Sequence, residues 1–194
     1  QDADNFMWMG TRQGLRRFDG SGFVAYYHSG QDSTSLADNE VHSLCTDRSG
    51  RLWVGTANGL QRYVPEDDSF RLVQLQGEDL KGRILDIVRL RDGSLLCAVA
   101  NVGIFRVDGV AMTAYPVLTE NGIFHPSHSC LLFEDSRKQL WVGTDREGVV
   151  RMDLGTGKGK RYGLPLAGVK DIVEDNGGRV FVVSPQAVYL WDAQ

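Results

Sequence analysis

The chain has 194 residues, of which 42% are hydrophobic and 24% charged, enough to bury a sizeable core and too apolar for a generally disordered polypeptide. Its formal net charge is -4, with Lys and Arg scattered and only one small basic cluster at 157–161. That distribution offers no electrostatic footprint for a nucleic-acid partner, and the cluster reads as a solvated hairpin tip. No apolar run approaches the roughly 18 to 20 residues of a membrane-spanning helix. No charged segment leads into an apolar one as a signal peptide would, and the chain begins without Met, part-way through a repeat.

The first predicted hairpin is Phe6-Met7-Trp8-Met9-Gly10-Thr11, the tip Arg12-Gln13, then Gly14-Leu15-Arg16-Arg17-Phe18. The second unit is complete. Val41 to Thr46 alternates as an inner strand, and Asp47 to Gly50 forms a turn, because Asp bonds its own downstream backbone and Gly accepts positive φ. Leu52-Trp53-Val54-Gly55-Thr56 is the second strand, 60–64 the third, and 70–75 the outer strand. The third unit, 84–107, is a degenerate copy with Leu96 for Trp and Ala98 for Gly. Cys130 opens the fourth, which repeats Leu140-Trp141-Val142-Gly143-Thr144, and Val169 opens the fifth, which runs through Phe181 to Trp191.

Aligned on Trp8, Trp53, Leu96, Trp141 and Phe181, the units recur at intervals of 45, 43, 45 and 40 residues. Six residues earlier stand Asp2, Asp47, Asp135 and Asp175; two residues later stand Gly10, Gly55 and Gly143. A period in the forties, made of segments that alternate by two, is that of a β-propeller blade and excludes a helical solenoid. The expectation is an all-β propeller segment of about four and a half four-stranded antiparallel blades, an incomplete ring from a larger propeller. Its units are 1–30 (partial), 37–76, 83–118, 128–163 and 168–194 (partial). Exposed blade edges could also pair two copies of the chain. The Trp and Gly of each unit are assigned to packing between blades.

Catalytic chemistry is not signalled. There is no Gly-x-Ser-x-Gly elbow. His125-Pro126-Ser127-His128 is the nearest approach to a metal motif, but two ligands lack a third. Cys45, Cys97 and Cys130 each lie in an apolar run and read as core residues. No metal and no cofactor are expected. Function is therefore sought in surfaces: the loops leading into inner strands (29–40, 76–82, 119–128 and 163–168) and the tips joining second to third strands. Those tips hold Arg12 and Gln13, Ala57 and Asn58, Asn101 and Val102, and Asp145, Arg146 and Glu147. They differ in chemistry on strands that keep their type, as a recognition surface on a rigid frame does. The candidate ligand-binding residues are Arg12, Gln13, Asn58, Asn101, Phe124, His125, His128, Asp145 and Arg146, planar donors and acceptors beside an aromatic face, suited to sugar hydroxyls.

The stretch Ser35-Leu36-Ala37-Asp38-Asn39 before an inner strand, followed by Asp47-Arg48-Ser49-Gly50-Arg51-Leu52-Trp53-Val54-Gly55-Thr56 and Gly59-Leu60-Gln61-Arg62-Tyr63, resembles the regulator-propeller repeats of bacterial hybrid two-component sensors. The resemblance is strong in units one, two and four and weak in three and five. It implies a periplasmic sensory region of an inner-membrane hybrid histidine kinase, which detects oligosaccharides released from glycans. The kinase and the remaining blades would lie elsewhere in the parent chain, so the segment itself is expected not to be an enzyme and not to touch the membrane directly. The alternative is a protein-interaction scaffold with no small ligand.

Overall fold

The structure, a computed structural model, describes residues 1–75, 77–79, 81–109, 111–146, 148–163 and 168–191. Every regular element among them is a β-strand. The expected lead-in loops at 76–82 and 163–168, and the tip residue Glu147, fall partly or wholly outside the described residues. So do the ends of the expected units at 76 and 194. The chain forms two compact units, Gln1–Val99 with Phe105–Ala114 and Ala100–Ile104 with Tyr115–Gln194.

The sheets follow the repeat. The first is three-stranded, with Met7–Thr11, Gly14–Phe18 and Phe23–Tyr26 in order. The second orders Val41–Thr46, Leu52–Thr56, Gly59–Val64 and Ser69–Leu72; the third orders Ile84–Arg89, Leu95–Val99, Gly103–Asp108 and Ala111–Ala114. The fourth orders Cys130–Glu134, Gln139–Thr144, Val149–Asp153 and Gly159–Tyr162, and the fifth Asp171–Glu174, Val180–Val183 and Val188–Trp191. Each is an antiparallel meander, so the chain is an all-β propeller segment.

The repeated residues explain why. In the second blade, the Asp47 carboxylate accepts the backbone N–H of Ser49 and Arg51 and the Trp53 indole at 3.1 Å. Asp2 does the same for Trp8 at 2.6 Å, and Asp135 for Trp141 at 2.8 Å. One side chain thus closes the turn between inner and second strands and satisfies the buried indole N–H, which would otherwise be left without a partner in the core. The third blade has Leu90 and Leu96 at these two places, so donor and acceptor disappear together. In the fifth, Phe181 replaces the indole and Asp175 bonds the Arg179 side chain instead, at 2.7 Å.

The glycine two residues beyond each Trp is a close-approach position. A Cβ on Gly10 would stand 2.6 Å from a Val41 methyl, on Gly55 2.5 Å from Ile84, and on Gly143 2.6 Å from Val169. Each contacted residue leads into the next blade's inner strand, so the glycine sets the blade spacing. The core accordingly lies between blades. Trp53, Leu60 and Val73 pack on Ile84, Ile87 and Leu95; Trp141 and Val149 pack on Val169, Ile172 and Val180. Cys97 is wholly buried in the first of these layers, as its apolar setting predicts, and burial raises the Cys45 thiol to about 11.

The expected outer strand 70–75 is broken. It ends at Leu72, and Gln74 and Leu75 leave the second blade to pair in parallel with Ala111 and Met112, the outer strand of the third. Glu78 and Asp79 fold back on them as a hairpin. Leu118–Thr119 and Gly122–Ile123 form a similar hairpin, with a parallel bridge from Leu118 to Lys158 at the outer strand of the fourth blade. Each linker therefore covers the unpaired edge of the following blade before turning inward, which removes an edge that could recruit another chain.

Candidate functional site

Hairpin tips and the heads of inner strands occupy the same end of each blade, because the strands run antiparallel from one to the other. In the first, second and fourth blades the tip geometry is set by the threonine that ends the second strand. Thr11 Oγ1 donates to the Gly14 carbonyl at 2.7 Å and accepts the Gln13 N–H; Thr56 does so with Gly59 and Asn58. Thr144 donates to Gly148, and Ser184 takes the same role toward Ala187. The tip backbone is thus held while the side chains at the two or three intervening positions are free to vary. Arg12, Gln13, Asn58, Asn101 and Arg146 are exposed, and Asp145 is half-buried with Arg146 beside it at 3.7 Å.

In the second unit, the structure brings two predicted regions together. Asn101 N–H donates to the Pro126 carbonyl at 2.7 Å, and the His125 ring lies 2.9 Å from the Val102 carbonyl. Asn101, His125 and the exposed His128 therefore share one rim. Phe124 does not. It is only 5% exposed, its ring lies 5.8 Å from the Arg161 guanidinium, and its N–H is bonded to Val117. The linker places it in the interior, so it offers no apolar face to a ligand, and its place in the candidate set is corrected. The long lead-in 29–40 is corrected too: much of it runs along the outer strand of the second blade, where Thr34 accepts the Phe70 N–H and Leu36 is buried. Only its last residues reach the inner-strand head.

There, in the first unit, a charged cluster forms that sequence reasoning did not single out. Gly14 N–H donates to the Asn39 carbonyl, tying the Arg12–Gln13 tip to Asp38–Glu40. The inner strand of the second blade carries an extra residue between Val41 and Ser43, a bulge occupied by His42. Bulges re-aim a side chain, and His42 meets Arg83 at the head of the third blade. Arg83 Nε donates to His42 Nε2 at 3.1 Å, with Glu40 3.7 Å from the imidazole and 3.9 Å from Arg83. Burial and the neighbouring Arg83 lower the His42 pKa, against Glu40 and Asp38, so the ring is neutral at pH 7 with Nε2 as acceptor. An imidazole already engaged by a guanidinium is not poised as a general base. The arrangement presents fixed donors and acceptors at the rim. The signal available in the sequence was the polar His42 where the third and fourth blades carry Leu85 and Leu131.

A second set of features lies at the opposite end of the blades. The structure has a cleft of about 340 Å³ where the second and third blades meet, lined by the 47–51 turn, Trp53 and the end of the third blade's third strand. A cleft of about 250 Å³ lies where the fourth and fifth meet, lined by Asp135, Trp141, Arg151 and Trp191. Among the described residues, no group of three or more His, Cys, Asp or Glu could hold a metal ion.

The family model for the two component regulator propeller matches residues 35–58. Residues 35–58 carry a regulator-propeller repeat. The matched segment runs from the linker through the Asp47 turn to the Thr56-capped tip, the same elements that the geometry ties together. Among solved structures, the chain is similar over its whole length to the extracellular domain of a proposed hybrid two component system of B. thetaiotaomicron, with 24% identity and a TM-score of 0.78. It is also similar to another such extracellular domain from the same organism, with 20% identity, a TM-score of 0.61 and 98% of the chain covered. The chain spans 28% of the first of these proteins and 35% of the second. Virginiamycin B lyase from Staphylococcus aureus is similar too, at 14% identity and a TM-score of 0.65, with all of this chain and 68% of the lyase covered. At these identities the likenesses show the propeller fold. No curated protein matches the chain significantly in sequence.

Proposed function

We propose that this chain is part of the extracytoplasmic, periplasmic sensor region of a hybrid two-component system. Its tip-and-head rim contacts a glycan-derived oligosaccharide and passes the signal to a kinase elsewhere in the parent chain. The observation that carries this reading is the contrast within each hairpin. In the first, second and fourth blades Asp, Trp, Gly and Thr make the same contacts, while the tip residues they hold change from Arg12–Gln13 to Ala57–Asn58 to Asp145–Arg146. A constant frame with divergent polar tips is the arrangement of a binding surface and not of a packing element. The neutral His42, the Arg12 and Arg83 guanidinia and the Glu40 carboxylate add planar donors and acceptors of the kind that sugar hydroxyls pair with. The full-length similarity to an extracellular domain of a two component system supports the sensory context.

Signalling requires that the ligand bind one arrangement of the sensor region more tightly than another. Titration calorimetry of the complete parent ectodomain against a panel of glycan oligosaccharides tests the reading. Binding of at least one oligosaccharide, weakened by Arg83→Ala and by His42→Ala, is the expected outcome. No heat with any sugar, together with recovery of a stable protein partner, would instead establish an interaction scaffold.

A further inference from the structure

Three blade-to-blade seams can be compared position by position. Opposite each Trp on the neighbouring third strand stands an arginine: Arg17 faces Trp8, Arg62 faces Trp53 and Arg151 faces Trp141. In the seam between first and second blades, Arg17 lies 5.7 Å from both the Trp8 and Tyr26 rings and donates to the Tyr63 hydroxyl at 2.7 Å. In the seam between fourth and fifth, Arg151 lies 5.9 Å from Trp141, 5.8 Å from Tyr162 and 5.5 Å from Trp191. Both seams therefore place aromatic rings at two further columns, one on the outer strand and one on the next blade's third strand.

The seam between second and third blades has Val73 and Val107 at those two columns. Neither valine reaches as far as a ring, and the cleft there, about 340 Å³ with Val107 and Trp53 in its wall, is larger than the clefts of about 250 and 230 Å³ at the two ring-bearing seams. A third column differs as well. The residue after each turn Asp overhangs the next blade's turn glycine: Ala3 over Gly50, Ser136 over Gly178, and in this seam Arg48, whose stem would meet a Cβ on Gly93 at 3.1 Å. The same seam that lost its rings gained a guanidinium.

Three acids and three arginines stand around the cleft, and they are not equally engaged. The Asp47 carboxylate already accepts two backbone N–H groups, the Trp53 indole and Arg51 Nε at 2.7 Å. Asp92 accepts the Ser94 N–H and hydroxyl and stands 3.6 Å from Arg106. Asp108, exposed at the lip, is the second lining acid beside Asp47, with Asp92 just outside the wall. Against these stand Arg48, Arg51 and Arg106 in the lining. Arg48 is exposed and makes no hydrogen bond or ion pair with a described residue, and Arg51 engages Asp47 through Nε. Guanidinium pairs bind carboxylate and sulfate groups bidentately, and a cleft near 300 Å³ admits one sugar ring.

We propose that the cleft between the second and third blades, with Arg48 and Arg51 at its mouth, binds the carboxylate or sulfate group of an acidic sugar residue. This rests on the glycan-sensing reading above for the ligand class and adds a site at the end of the blades away from the tips. The test is calorimetry of this chain with a galacturonate trimer (carboxylate only), a carrageenan tetrasaccharide (sulfate only) and a neutral galactan trimer. The acidic probes should bind at least about tenfold more tightly than the neutral one and weaken with added salt, the carboxylate and sulfate arms showing which group is preferred. Val107→Tyr, which restores the ring that the other seams carry, should reduce acidic binding by about tenfold or more, with thermal unfolding unchanged or raised. Arg48→Ala, at an exposed position, should do the same without reshaping the cleft. Acidic binding that survives both variants, or a neutral trimer that binds equally well, would overturn the site while leaving a sugar sensor standing. No heat from any probe, on this chain and on the whole ectodomain, would overturn both.

Discussion

The seam between the first and second blades and the seam between the second and third are built on the same columns and end as different surfaces. In the first, Trp8, Tyr26 and Tyr63 close around Arg17, and Asp68 accepts both tyrosine hydroxyls, at 2.7 and 2.6 Å. In the second, two valines stand where two of those rings would be, and the cleft, bordered by Arg48, is about 340 Å³ against about 230 Å³ beside Trp8. The difference shows that a repeat protein widens a cleft by subtraction. The Asp–Trp hydrogen bond and the Gly contact that hold the blades together are present in both seams, so the rings can be lost without losing the frame.

The sharpest way to break that comparison is to attack what the two seams share. Gly55→Val places a Cβ 2.5 Å from Ile84 Cγ2, which the tightly packed inner strand cannot avoid. It should cost about 3 kcal/mol or more of unfolding free energy in urea titrations. A loss below about 1 kcal/mol would mean that glycine does not set the blade spacing. Tyr63→Val converts the narrower seam toward the wider one. Tyr63 is 4% exposed and packs 4.8 Å from Trp8, so its truncation should cost about 2 to 3 kcal/mol and open a cleft visible in a crystal structure of the variant. An unchanged seam volume would show that the columns are not equivalent.

Asp47→Ala should have the smallest effect of the three, about 2 kcal/mol at neutral pH, because water can reach part of the turn it leaves. It also has a pH signature. Burial pulls the Asp47 carboxyl upward, but the hydrogen bonds from Trp53 and Arg51 outweigh it, and the folded pKa lies below the ordinary value of 3.8. The native protein therefore holds the full contribution above about pH 4 and loses it as pH falls through the lowered value. Melting temperature against pH should fall less steeply below about pH 4 in the variant than in the parent. Identical acid limbs would show that Asp47 is not a coupling point between protonation and folding.

Much of the frame was legible because each repeated residue has a local reason that recurs. Asp six residues before Trp closes a turn and meets an indole within one hairpin. Thr after Trp-x-Gly caps a tip three or four residues on. Such contacts depend on spacing alone, so Trp8, Gly10, Trp53, Gly55, Trp141 and Gly143 could be placed between blades before any coordinates. The candidate site was less legible. His42 and Arg83 are 41 residues apart and meet only because a bulge turns one head toward the next. Phe124 looked like an exposed loop aromatic, yet the linker that carries it folds under the rim. The linkers were misplaced for the same reason: their pairing with the next blade's outer strand is a contact between units of the repeat.

What the sequence by itself determined is therefore the blade: its strand order, its turns, its capped tips, and the columns of residues that face a neighbour. Those follow from hydrogen-bond satisfaction and alternation within some forty residues. What only the tertiary structure decided is which side chains from adjacent blades share a space. Arg48 over Gly93, Val107 beside Trp53, and Arg83 on His42 each join residues from two blades, and the volume between them depends on what both contribute. A cleft is a property of the pair, and no single repeat encodes it.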